Sequence, residues 1–120
     1  MTPPTVLIVD DHAAFRSAAR RLLSTEGFDV VGEAHDGASG IASAEALRPE
    51  VVLLDIQMPG IDGFEVAGRL AKIARPPVVI LTSNSDGSDY ESLVRDCGAR
   101  GFIPKADLTG DALLAVLACE

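Results

Sequence analysis

Three runs along the chain are almost wholly apolar: Val6–Val9, Val51–Leu54 and Val78–Leu81. They are rich in β-branched residues and bounded by proline or acid. That pattern predicts strands buried on both faces, as in a parallel sheet. Two weaker segments join them. Phe28–Ala34 carries polar Asp29 and Glu33, and Gly101–Ile103 is short. Both suit the edges of the sheet.

Helical spacing fills the gaps. Phe15, Ala18, Ala19, Leu22 and Leu23 form one stripe, with Gly27 placed to end the helix. Ala38, Ile41 and Ala42 start a second helix that must stop near Arg48-Pro49. Phe64, Ala67, Leu70, Ala71 and Ala74 give a third, ended by Pro76-Pro77. Ser88-x-x-Glu91 reads as a capping box, followed by the stripe Tyr90, Leu93, Val94 and Cys97, with Gly98 beyond it. A fifth helix runs from about Thr109 through Leu117. Strand and helix thus alternate five times. Right-handed crossovers then give an α/β fold, an open parallel sheet with helices on both faces.

At 120 residues, the length implies one domain over 1–120, large enough for a core without staples. The 48% apolar and 23% charged fractions exclude disordered, collagen-like and coiled-coil classes. A net charge of −8 argues against direct nucleic-acid contact. Cys97 and Cys119 lie far apart with no metal-ligand spacing, which suits a reduced, cytoplasmic compartment. The apolar runs are too short to span a membrane.

Open parallel sheets bind ligands at the carboxyl ends of their strands. Asp10 and Asp11 follow the first strand, Asp55 the third, Thr82 ends the fourth, and Lys105 lies just past the fifth. Singly, Asp11 reads as a helix cap, Asp55 as a turn head, Thr82 as a local backbone partner and Lys105 as a solvated lysine. Together they place chemistry-bearing groups on one rim. Three clustered carboxylates repel unless a cation compensates, and oxygen ligands of this kind suit Mg²⁺. A carboxylate there is also a nucleophile toward phosphorus, and Asp55 is the best placed. Lys105 supplies positive charge and Thr82 a donor for the moving oxygens.

Across its whole length the sequence resembles the receiver domain of two-component response regulators. The resemblance rests on Asp10-Asp11, on Leu53 to Gly63 (LLDIQMPGIDG), on Thr82 and on Gly101-Phe102-Ile103-Pro104-Lys105. Gly32-Glu33-Ala34 with Asp36-Gly37 also resembles receivers of LuxR/NarL-type transcription factors. The resemblance implies a flavodoxin-like (βα)5 fold, five helices around a five-stranded sheet in the order 2-1-3-4-5. It implies that Asp55 accepts a phosphoryl group from a sensor histidine kinase. Asp10, Asp11, the Asp55 side chain and the Gln57 backbone carbonyl would hold Mg²⁺. Lys105 would pair with the phosphoryl oxygens. Thr82 and Phe102 would form the switch, remodelling the face of the fourth helix, fifth strand and fifth helix. Gln57 and Asn84 would flank the phosphoryl site and tune its hydrolysis.

Two departures from that pattern stand out. Phe102 stands where tyrosine is common, so a hydroxyl is missing from the switch. Ala106 follows Lys105 where many receivers have proline; a cis bond before alanine costs about 2.5–4 kcal/mol, so a trans peptide is expected. His12 and His35 look isolated and suggest no metal site. Leu113, Leu114, Val116 and Leu117 cover more of the last helix than one core stripe needs, which suggests a partner surface, such as a receiver–receiver homodimer. The sequence fits either a stand-alone receiver or part of a longer parent protein, and in the second case the LuxR/NarL likeness implies a DNA-binding effector domain beyond Glu120. The chain is expected to be a signalling switch rather than a turnover enzyme. Two other functions compete. An aspartate-nucleophile, Mg²⁺-dependent phosphatase of the haloacid dehalogenase type would want an acid two residues after its nucleophile, where Gln57 stands. A receiver-shaped interaction module would work without phosphorylation.

Overall fold

The computed structural model describes residues 3–84 and 90–118. Five parallel strands form the sheet: β1 (Thr5–Val9), β2 (Asp29–Ala34), β3 (Val51–Asp55), β4 (Val78–Ser83) and β5 (Gly101–Pro104). Their order is β2-β1-β3-β4-β5, as expected for a flavodoxin-like sheet. The helices are α1 (Ala13–Thr25), α2 (Gly37–Leu47), α3 (Gly63–Leu70), α4 (Glu91–Asp96) and α5 (Gly110–Ala118), and a 3-10 turn covers Lys105–Asp107.

Strand alternation divides the core into two layers. Val6, Ile8, Val51, Leu53, Ile80 and Ile103 face α1 and α5, where they meet Ala19, Leu23 and Leu113. Leu7, Val9, Val52, Leu54, Val79 and Leu81 face the other way, onto Ala44 of α2, Val66 and Leu70 of α3, and Val94 of α4. The three central strands are buried on both faces, which is why their sequences read as unbroken apolar runs.

Three helical details differ from the sequence reading. In α2, Ala38 and Ala42 are exposed; the buried line is Gly37, Gly40 and Ala44. A Cβ on Gly40 would press within 2.8 Å of Val9, so the glycine sets how closely α2 approaches β1. The Asp36 side chain accepts from the Ser39 backbone N–H, and the Ser39 hydroxyl accepts in return, closing a capping box at the start of this helix. Its other end is set by Arg48, whose φ of +50° turns the chain left-handed before Pro49.

α3 stops at Leu70, well before Pro76. Ala71 and Ala74 are exposed, so the alanine stripe buries nothing beyond Leu70 and only Ile73 packs against the core there. In α4, Val94 points inward but Leu93 is exposed, and Ser88 lies outside the described residues. Gly27 and Gly98 end α1 and α4 with φ of +93° and +88°, as their positions predict. No peptide bond is cis among the described residues, so Lys105–Ala106 is trans. Cys97 is half-buried and its thiol donates to the Val94 carbonyl, while Cys119 lies outside the described residues. No helix among the described residues is long and apolar enough to cross a membrane.

Candidate functional site

One rule of strand geometry assembles the site. Residues two apart share a face of a sheet. The α1/α5 layer therefore continues from Val6 and Ile8 to Asp10, from Val51 and Leu53 to Asp55, from Ile80 to Thr82, and from Ile103 to Lys105. Apolar residues fill the body of this layer and polar ones its carboxyl-terminal rim. Asp55 and Thr82 are register partners on adjacent strands. Asp10 continues β1 by donating its N–H to the Ala34 carbonyl at 3.0 Å.

These polar groups are deeply placed. Asp10 and Asp55 are 0% and 3% exposed, and Thr82 is 1% exposed. The Lys105 ammonium lies 2.7 Å from Asp10 Oδ2 and 3.5 Å from Asp55 Oδ2. It also sits over the Phe15 ring, 4.6 Å from the centroid, in cation–π geometry. The other Asp10 oxygen, Oδ1, accepts from the His12 backbone N–H at 2.8 Å. Arg16 Nη1 donates to the Asp10 carbonyl at 2.6 Å and its Nε to Glu33 at 3.3 Å, pinning the end of β1 between α1 and β2.

Asp55 sits under repulsion. Burial pushes its carboxyl up to about 6, and the Asp10 carboxylate pushes in the same direction. The Lys105 ammonium and the Gln57 N–H, which donates to Asp55 Oδ1 at 3.3 Å, pull it back only in part. Asp10, Asp11, His12 and Asp55 each bring a donor atom within 4.8 Å of the others. Three carboxylates facing one ammonium leave a surplus of negative charge, and hard oxygen donors of this kind fit a small divalent cation. Thr82 Oγ1 is buried with no hydrogen-bond partner among the described residues, an arrangement that calls for an acceptor.

The loop after β3 is shaped by two glycines. Gly60 has a φ of +81°. At Gly63, a Cβ would collide with the Asp55 carbonyl oxygen and with Ile56 Cα. The Gly63 N–H donates to the Ile56 carbonyl at 2.8 Å, and Asp62 caps α3 by accepting from the Glu65 N–H at 2.9 Å. The start of α3 is thereby held directly against the backbone of Asp55 and Ile56.

The structure brings Asp10, Asp11, Asp55, Thr82 and Lys105 to one rim, with Gln57 exposed at its edge and Asn84 exposed just past β4. Phe102 has the opposite strand parity. It joins the α2/α3/α4 layer, half-buried, with its ring 6.5 Å from that of Tyr90.

Sequence reasoning set His12 aside, yet its Nδ1 lies 3.1 Å from both Asp10 Oδ1 and Asp11 Oδ1. Its place directly after two acids was the available signal. Sequence reasoning also gave no site role to Phe15, Arg16 or Tyr90. Their contacts join distant parts of the chain, and no local pattern announces them.

Comparison with known proteins agrees with this geometry. The family model for the response regulator receiver domain matches residues 6–117. The chain is 39% identical over 115 residues to a transcriptional regulatory protein NarL of Mycobacterium tuberculosis, covering 95% of this chain and 53% of that protein. It is 39% identical over 100 residues to the virulence transcription regulator BvgA of Bordetella pertussis, covering 83% of this chain and 48% of that one. The chain thus spans about half the length of the curated relatives it matches. Among solved structures, the signal receiver domain of M. tuberculosis NarL superposes with a TM-score of 0.87 at 33% identity, covering 99% of this chain and all of that one. The response regulator domain of Thermotoga maritima CheB gives 0.84 at 28% identity, over 96% and 94% of the two chains. With the rim of acids, lysine and threonine in place on a 2-1-3-4-5 sheet, the chain belongs to the response regulator receiver family, signalling switches whose relatives here are transcriptional regulators.

Proposed function

We propose that residues 1–120 form a phosphoacceptor receiver domain, in which Asp55 takes a phosphoryl group from a sensor histidine kinase. The observation that carries this reading is the convergence on Asp55 of Asp10, Asp11, Lys105 and the unpartnered Thr82 hydroxyl. In the transfer, an Asp55 carboxylate oxygen forms a bond to phosphorus as the bond from phosphorus to the donor's imidazole nitrogen breaks. Phosphoryl transfer asks for positioning and charge stabilisation more than for covalent help. Lys105, held here between Asp10 and Asp55, needs only a short shift to reach the new phosphoryl oxygens. The Thr82 hydroxyl, aligned with Asp55 across the β3–β4 ladder, donates to another of them. Bound by Asp10, Asp11, Asp55 and the Gln57 backbone carbonyl, Mg²⁺ would neutralise the surplus negative charge of carboxylates and phosphoryl group.

Movement of Thr82 toward the phosphoryl group frees space at the end of β4. Phe102, packed beside Leu81 and Tyr90, answers by turning inward and alters the α4–β5–α5 face. Gln57 and Asn84 set how readily water reaches the aspartyl phosphate. The output is transcription, through a C-terminal DNA-binding effector domain of a longer cytoplasmic protein. The acidic receiver itself makes no nucleic-acid contact. Receiver–receiver homodimerisation through the exposed part of α5 belongs to the same proposal.

The test is the response to beryllofluoride, a phosphoryl mimic, followed by backbone amide shifts. Changes in β5 and α5 that require Mg²⁺ and vanish in Asp55→Asn support the receiver switch. An unresponsive domain selects the phosphorylation-independent interaction module. Continuous turnover of a simple phosphomonoester selects the phosphatase.

A further inference from the structure

The site is walled on its open side by a concavity whose lining includes Asp11, Ile56, Gln57, Met58, Asp62 and Tyr90. Two of these residues touch across it: Gln57 Nε2 donates to the Tyr90 hydroxyl at 3.4 Å. Gln57 is also tied to the acceptor, since its backbone N–H donates to Asp55 Oδ1. The Tyr90 ring, for its part, stands between Phe64 and Phe102, at centroid distances of 5.8 and 6.5 Å. Tyr90 is therefore the residue through which the Gln57 side chain, the start of α3 and the Phe102 ring are in contact. It is the one tyrosine of the chain, and Phe102 has no hydroxyl of its own.

We propose that Tyr90 is a positioning residue for the chemistry at Asp55. Its hydroxyl holds the Gln57 side chain over the open side of the site, where that amide limits the approach of water to the phosphorylated Asp55. Its ring makes the hold depend on where Phe102 lies. The proposal rests on Asp55 being the phosphoacceptor. The controlled step is hydrolysis. A water oxygen bonds to phosphorus as the bond from phosphorus to the Asp55 oxygen breaks. The carboxylate leaves with the electron pair, one water proton stays on the phosphate and the other goes to solvent. Tyr90 touches none of these atoms and acts through Gln57. The Tyr90 hydroxyl, on the N-terminal flank of α4, thus bonds to Gln57 in the loop that follows Asp55.

The experiment follows phosphoryl loss by intact mass after acetyl phosphate is removed, for the parent, Tyr90→Phe, Gln57→Ala and the double variant. Tyr90→Phe keeps the ring and removes only the hydroxyl. Its decay should be about threefold to tenfold faster than the parent's, the span one neutral hydrogen bond carries. Gln57→Ala should show a similar rise, and the double variant no further rise, because both break the same link. A purely structural role for Tyr90 would lower the melting temperature without this non-additivity. Decay of Tyr90→Phe equal to the parent's, or additive effects in the double variant, would overturn the role of Tyr90 while leaving Asp55 as acceptor. A parent that takes no phosphoryl group overturns the receiver function, and this inference with it; Asp55→Asn run in parallel tells the two failures apart.

Discussion

Asp55 works under strain that the fold imposes. Its carboxyl is raised to about 6 by burial and by Asp10, against about 3.9 in an unfolded chain. Between these values the folded state binds the proton more tightly, so unfolding releases it and stability falls as pH rises. Without divalent cations, the domain should lose stability from about pH 4 to about pH 6 and then level off with respect to this group. Asp55→Asn removes the charge. Chemical denaturation in chelator should find it more stable than the parent at pH 7, on the order of 2 kcal/mol, with the gap closing toward pH 4. A gap of the same size at both pH values would contradict the assignment. Thr82 makes the matching case for a neutral group. Its buried hydroxyl lacks a partner, so Thr82→Val should raise stability by about 1 kcal/mol while slowing phosphoryl transfer. The pairing of those two outcomes, read by denaturation and by labelling rate, separates a functional hydroxyl from a structural one. The rim residues were legible in the sequence because strand alternation and strand ends are local signals. Lys105 over Phe15, Arg16 on the Asp10 carbonyl and Tyr90 on Gln57 were not, since each depends on side chains meeting across elements.

Elements place these groups, and the joints between elements are where the placement is decided. Gly63 is the tightest joint. Gly63→Ala forces apart the start of α3 and the Asp55–Ile56 backbone. It should destabilise the domain by about 1–3 kcal/mol and lower phosphoryl labelling beyond what the lost stability explains. Full labelling in a stably folded Gly63→Ala would show that the close approach serves packing alone. All five strands were legible in place, three from β-branched apolar runs and two from weaker segments, with ends that differ by one or two residues. The helices were legible in place but not in face or length. In α2 the buried line runs through Gly37 and Gly40, which a search for large apolar residues passes over. In α3 the alanines at 71 and 74 keep helical spacing but bury nothing, so spacing overstated the helix. The Asp36–Ser39 box was readable and would have fixed the start of α2.

At the scale of the whole molecule, one sheet carries two different jobs on its two faces. The α1/α5 face leads to Asp10, Asp55, Thr82 and Lys105, and the opposite face carries Phe102, Tyr90 and Phe64. The rim and the second face are joined by β4, β5 and the Gln57–Tyr90 contact. α5 shows the same economy. Leu113 is buried, Val116 and Leu117 are partly buried against the core, and Leu114 is 48% exposed. The broad apolar surface read from the sequence is thus mostly core, with Leu114 left for contact. Leu114→Arg should weaken self-association of the phosphorylated domain without loss of labelling, as measured by sedimentation. A dimer that survives the substitution would remove α5 from the interface. Asp55 is proposed as the phosphoacceptor of a cation-dependent site. Intact mass after incubation with acetyl phosphate, with and without Mg²⁺, tests it most directly. One phosphoryl adduct is expected, which requires Mg²⁺, is cleaved by hydroxylamine and is absent from Asp55→Asn. An adduct that persists in Asp55→Asn, or one that forms equally in chelator, would contradict it.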